Sequence, residues 1–106
     1  MSNQTTTQQV NWGGYNFEVC AKNSLWRASA GLYIFSGASN GSWRAIYIGQ
    51  TENFSERIPA HERWDEAVRR GATHVHARIE TNALQRLAIE RDLVRRFQPP
   101  LNDQLR

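Results

Sequence analysis

Short alternating runs of apolar and polar residues interleave with longer helical stretches along this chain. Tyr15, Phe17 and Val19 are separated by polar residues, the period-two signature of a strand with one buried face. Leu32 to Phe35 and Ala45 to Ile48 are denser in β-branched and aromatic residues and read as two further strands. Between them, Ser36-Gly37-Ala38-Ser39-Asn40-Gly41-Ser42 is a cluster of turn formers, so the pair is expected as a hairpin with a long loop. Val75, Ala77 and Ile79 alternate with His74, His76, Arg78 and Glu80, predicting a third core strand with one polar face.

The helical stretches carry their own punctuation. Asn53 is a capping residue with Glu56 as its capping-box partner, and the helix that follows meets Pro59, which lacks the backbone donor and should break or kink it. A second helix is expected from Trp64 to Arg70, stopped by Gly71. Asn82 caps a long helix to about Phe97, and Pro99-Pro100 ends it. Leu87, Glu90, Val94 and Phe97 recur at helical spacing, so this stripe is expected to face the sheet. The order predicts an α+β domain. A small central antiparallel sheet, three core strands plus an extra N-terminal strand, is flanked by helices.

Polar composition marks Met1 to Asn11 as a disordered tail, leaving residues 12–106 as one domain. Lys22 to Ser29 reads as a connection with Leu25 and Trp26 packed onto the domain. The four Trp, four Phe and three Tyr are enough bulk for a small core. A formal charge of +3 and a pI near 9.6 lean towards polyanionic partners without identifying one. Cys20, the single cysteine, cannot form an intrachain disulfide, and its place in an alternating run makes it a packing residue. With no apolar leader or membrane-length run, a soluble cytoplasmic protein is expected.

Candidate chemistry lies in residues that composition does not explain. Glu90 falls inside an apolar stripe, where a carboxylate needs a cation or strong donors; an ion pair with Arg86, or a place at the stripe's edge, would serve equally. Tyr33 and Tyr47 are mid-strand and would ordinarily be packing residues, yet across a hairpin both hydroxyls could reach one site. Arg57 and His61 are four apart, on one face if the helix continues, although Pro59 puts their mutual geometry in question. His74 and His76 share a strand face, but two histidines without a third ligand are a weak metal signal, and contact with solvent or a nucleic-acid backbone is the plainer expectation. Trp43, Arg44, Arg63, Trp64, Arg69, Arg70, Arg95 and Arg96 could track phosphates and stack on bases, or be ordinary solvated residues.

Taken in order, Gly31-Leu32-Tyr33, Tyr47-Ile48-Gly49, Arg57, His61, Glu90 and Asn102 resemble the signature of the GIY-YIG nuclease family, over roughly Ala30 to Asn102. Leu32 in place of isoleucine is a conservative departure. The resemblance implies the same α+β layout and a divalent-metal-dependent endonuclease that hydrolyses phosphodiester bonds in DNA. It implies that Glu90 binds one Mg²⁺ or Mn²⁺ and that Arg57 contacts the scissile phosphate. One tyrosine would take the proton of the attacking water while the other holds that water. His61 matches a histidine found in some members, and Asn102 matches an asparagine that helps hold the site together. Gly49 is expected to let the backbone turn out of its strand towards Gln50 and Thr51. Relatives join this domain to DNA-recognition parts, so specificity is expected to be absent, built into the loops, or lent by a protein partner. A catalytically inactive nucleic-acid-binding module and a protein-interaction domain are the alternatives.

Overall fold

The computed structural model describes residues 8–105, with side chains described up to residue 102. Five strands form one antiparallel sheet in the order β1-β2-β5-β3-β4. They are β1 (Gln9–Trp12), β2 (Tyr15–Cys20), β3 (Gly31–Ser39), β4 (Ser42–Thr51) and β5 (His74–Ile79). Three helices, α1 (Phe54–Arg57), α2 (Trp64–Arg69) and α3 (Ala83–Phe97), and a final 3₁₀ turn over Pro100–Leu105 complete the α+β domain.

The sheet has five strands where three core strands and one extra were expected, and one connection is shorter than expected. β1 begins at Gln9, so part of the segment expected as a disordered tail pairs with β2, and residues 1–7 lie outside the described residues. Gly13 and Gly14, with φ of 59° and 99°, supply the tight turn between β1 and β2. The expected long loop between β3 and β4 is instead a two-residue turn. Asn40 and Gly41 take φ of 54° and 80° while Ser39 pairs with Ser42, so the strands run almost to the turn.

The sheet is covered on both faces. On one, Tyr33, Phe35, Ile46 and Val75 are buried with Phe54 and Ile58 around α1, Ala67 of α2, and Leu101 of the 3₁₀ turn. On the other, Leu32, Ile34, Ala45 and Ile48 are buried with Trp12, Phe17 and the α3 residues Ile89 and Leu93. Trp26 packs on the first core, whereas Leu25, expected to pack, is 99% exposed.

The helix signals hold with adjustments. Asn53 caps α1 by accepting from the Ser55 amide, but its own amide bonds the Thr51 hydroxyl in place of Glu56. Asn82 caps α3, and Gly71 with φ of 106° follows α2. The stripe of α3 that faces the sheet is Arg86, Ile89 and Leu93, one residue away from the expected Leu87, Glu90, Val94, Phe97 set. Arg86 is buried because Gln50 Oε1 accepts from its Nε at 2.9 Å and the Glu80 and Thr81 carbonyls accept from Nη1. That rotation leaves Leu87 and Phe97 a little over a third exposed, with Phe97 edge-on to Trp12 and Val94 still against the core, and puts Glu90 half-buried at the stripe's edge. No described helix is long and apolar enough to cross a membrane.

Candidate active site

Tyr33 and Tyr47 meet because the sheet is irregular at one point. Phe35 pairs with Tyr47 and Ser36 with Ala45, so Ile46 is an extra residue on β4. Strict alternation would send Ile46 and Tyr47 to opposite faces. The bulge lets both join the face that carries Tyr33 and Phe35, and the two tyrosine rings lie 6.3 Å apart.

Gly49 stands directly opposite Tyr33. A Cβ at Gly49 would lie 2.6 Å from both Cζ and Oη of that tyrosine. Its role is therefore to leave room for the phenol, not to turn the chain, because β4 continues to Thr51. Asn102 fixes the same strand from the other side. Its Oδ1 accepts from the Ile48 amide and its Nδ2 donates to the Ile48 carbonyl, each at 2.9 Å, in a buried setting. Both open valences of one residue between Tyr47 and Gly49 are thereby satisfied by the side chain after Pro99-Pro100.

α1 ends at Arg57, and a turn containing Pro59 carries the chain to His61, so the two residues do not share one helix. The turn still delivers His61 into the cluster. Its ring packs edge-on against Tyr33, Phe35 and Tyr47, with centroids 5.4, 4.9 and 5.2 Å away. The Arg63 amide donates to His61 Nδ1 at 3.0 Å. A neutral imidazole with an acceptor at Nδ1 carries its proton on Nε2, and Nε2 lies 2.8 Å from Tyr33 Oη. His61 thus donates to the phenol oxygen, leaving the phenol's own proton to point elsewhere. Burial, reinforced by the Arg57 cation, brings the His61 pKa down to about 4, which keeps this tautomer at neutral pH.

Arg57 lies beside Tyr33 and favours its ionised form, but burial and the neighbouring Tyr47 outweigh it, and the Tyr33 pKa is raised above the ordinary phenol value. Tyr47 is raised too, chiefly by burial, with Arg57 opposing and the Glu90 carboxylate adding to the rise. Positive charge from Arg57 alone therefore does not bring either phenol below its usual range.

The Glu90 charge is felt at Tyr47, and burial raises the Glu90 pKa, opposed by Arg91. Arg86 is engaged with Gln50 and two carbonyls and does not pair with it. Among the described residues Glu90 has no ion-pair partner within 4.0 Å. No group of three or more His, Cys, Asp or Glu there could hold a metal ion.

Glu62 was not singled out from the sequence. Its carboxylate closes on the Arg57 fork through two bonds of 2.9 and 3.0 Å, and that contact lowers its pKa to about 2. An exposed glutamate directly after His61 gives no sequence signal for such a contact, which depends on the turn at Pro59.

His74 and His76 are not part of the cluster. β5 turns both towards the α3 side, opposite the tyrosines. His76 is fully buried, accepting from Trp12 Nε1 at 2.9 Å and packing 4.6 Å from Trp43, so it is a core residue and not a nucleic-acid contact. Trp43 is used in the same packing, whereas Trp64 sits against Phe35 near the cluster. Cys20 lines a separate cavity of about 340 Å³ with Phe17, Trp26, Phe54 and Ala77, and burial pushes its thiol up to about 11.

No protein-family model matches the chain, and neither does any curated protein. Solved structures do match. The GIY-YIG N-terminal endonuclease domain of UvrC from Thermotoga maritima, bound to its catalytic divalent cation magnesium, is 21% identical. The match covers 72% of this chain and 85% of that chain, with a TM-score of 0.59. An asparagine-to-alanine point mutant of that domain, bound to its catalytic divalent cation, gives 22% identity, 72% and 84% coverage and the same TM-score of 0.59. A tyrosine-to-phenylalanine mutant, likewise bound to its cation, matches at 22% identity over 72% and 84% with a TM-score of 0.57. With its five-stranded antiparallel sheet and paired tyrosines on adjacent strands, the chain has the GIY-YIG nuclease domain fold.

Proposed function

We propose that this cluster hydrolyses phosphodiester bonds in nucleic acid, DNA first, with the help of one divalent metal ion. The observation that carries the reading is the Tyr33 hydroxyl, which accepts from His61 Nε2 at 2.8 Å beside the Arg57 guanidinium and next to Tyr47, whose phenol feels the charge of Glu90. A merely packed hairpin has no need of that arrangement.

Glu90 fits a hard divalent ion. It is a half-buried carboxylate with no cation paired to it among the described residues, and Mg²⁺ takes few protein oxygens while keeping several waters. The ion, when bound, would stabilise charge on the phosphate and the leaving oxygen. Everything else falls to the chain. Arg57 presents its planar donors to the phosphate and must exchange Glu62 for it. A water attacks phosphorus, Tyr47 orients it, and the Tyr33 oxygen, once its phenol proton has passed to solvent, takes the proton of that water. The bond to the leaving oxygen breaks and that oxygen acquires a proton from solvent. The His61 donor on the Tyr33 oxygen and the positive charge of Arg57 beside it stabilise the phenolate when it forms. Asn102 and Gly49 are positioning residues, acting through β4 and the space beside Tyr33.

The test is cleavage of a panel of duplex, branched and single-stranded DNA and RNA with Mg²⁺ or Mn²⁺, wild type beside Glu90→Gln. Metal-dependent cutting that the substitution removes supports the reading. Specificity is assigned to the loops or to a protein partner. The Glu62 carboxylate across the Arg57 fork favours one second reading, a silent nucleic-acid-binding module, which would bind in a salt-sensitive manner without cutting.

A further inference from the structure

Lys22 stands at the lip of the cluster, although it belongs to the connection between β2 and β3. Its Nζ donates to the Pro59 carbonyl at 3.3 Å and lies 5.5 Å from the centre of the Trp64 ring. Pro59 and Trp64 bracket His61 in the chain, so the ammonium is held beside the turn that delivers the imidazole to Tyr33. Trp64 cannot follow the ammonium freely, because its ring is seated edge-on against Phe35 at 5.0 Å.

Three cations surround this turn, and they are not equivalent. Arg57 is matched by Glu62 at 2.9 Å and Arg63 by Glu66 at 3.0 Å. Lys22 has no carboxylate within 4.0 Å among the described residues. A carbonyl and an aromatic face order an ammonium without cancelling its charge, and two of its three donors remain for a ligand. Its field reaches the site, since Lys22 is among the cations that lower the His61 pKa.

We propose that Lys22, steadied by Trp64, binds a backbone phosphate of the nucleic-acid strand adjacent to the phosphate at Arg57. The inference rests on the reading of the cluster as a phosphodiester site and adds a second point of contact, which sets the direction in which the strand crosses the domain. A phosphate is favoured over a carboxylate ligand because a strand held at Arg57 carries further phosphates with it, whereas an isolated acid would have no anchor there.

The experiment measures binding of a fluorescein-labelled DNA duplex against salt, without divalent ions, for wild type, Lys22→Gln and Lys22→Arg, with thermal midpoints recorded for each. Loss of one phosphate contact should reduce the slope of log K against log salt by about 0.9 on duplex and about 0.7 on the single strand. Affinity should fall at every sequence alike, kcat/KM in Mg²⁺ should fall in the same ratio, and Lys22→Arg should restore both. An unchanged slope in Lys22→Gln, with only the thermal midpoint lowered, would mean that Lys22 merely ties its loop to Pro59 and would overturn the proposal. A wild type with no salt-dependent binding would overturn the phosphodiester reading itself, and this inference with it.

Discussion

Gly49 lies opposite Tyr33 across two paired strands, and a single added methyl would occupy the place of the phenol's Cζ and Oη, 2.6 Å from each. The glycine is thus a space requirement of the tyrosine, created by strand register. Gly49→Ala should push the Tyr33 ring off its bond with His61. Overpacking of this kind costs roughly 1–3 kcal/mol, so the protein should remain folded while cleavage falls far more than stability does. Chemical denaturation and a cleavage assay on the same sample check this; equal activity in the variant would remove Tyr33 from the site.

Asn102→Ala should be among the more damaging substitutions outside the two cores. It leaves the Ile48 amide and carbonyl without their partners, and each unsatisfied buried group costs on the order of 1–3 kcal/mol. Asn102→Asp keeps the shape but cannot donate, so its carboxylate would face the Ile48 carbonyl. Both variants should lower the urea midpoint, and the backbone resonances of Tyr47 to Gly49 should shift.

Stability should fall as the medium is acidified. His61 and His76 have folded pKa values brought down to about 4, first by burial. Unfolded, they titrate near 6.5. Between those values the unfolded chain binds more protons, so their contribution is intact above pH 6.5 and is lost progressively towards pH 4. Around His61 stand Arg57, Glu62, Arg63 and Lys22, and beside His76 stands His74. His76→Gln should flatten the slope of stability against pH in that window. A slope identical to wild type would show that His76 is not held neutral.

Much of the fold was legible because its signals are local. Asn53, Asn82, Gly71 and Pro99-Pro100 mark helix ends through hydrogen bonds and φ values of their own. The Asn40-Gly41 pair was legible in principle as a tight hairpin turn, but the small residues around it imitate a loop. The α3 stripe was misread for another reason. Arg86 is polar by type and buried in fact, since Gln50, distant in sequence, and the Glu80 and Thr81 carbonyls just before the helix satisfy it, and no periodicity reveals that. The ordered set of tyrosines, Arg57, His61, Glu90 and Asn102 was visible in the chain. The meeting of Tyr33, Tyr47 and His61 depends on the Ile46 bulge and the Pro59 turn, and the Glu62 contact with Arg57 exists only once that turn has formed.

Tyr33→Phe and Tyr47→Phe keep the rings that fill the core and remove only the hydroxyls. General acid–base assistance is typically worth roughly a hundredfold to ten-thousandfold, and losses of that size are expected for Tyr33→Phe. In the metal-free protein neither phenol should ionise at or below its ordinary pH, because burial outweighs Arg57 at both. Ultraviolet titration of single-tyrosine-deleted variants would show this, and the cleavage rate should go on rising through the alkaline range. Nearly intact turnover in both Phe variants would make the tyrosines packing residues.

The proposed role of Glu90 is to supply the charge that holds the catalytic metal ion. The most direct measurement compares wild type and Glu90→Gln for Mg²⁺-dependent cleavage, alongside DNA binding in the absence of metal and thermal stability. The account predicts that the variant is folded, since a half-buried carboxylate without a cation partner is replaced by a neutral isostere. It should bind DNA as wild type does and fail to cut at any Mg²⁺ concentration. Cleavage by Glu90→Gln at a rate near wild type, with the same metal dependence, would contradict it.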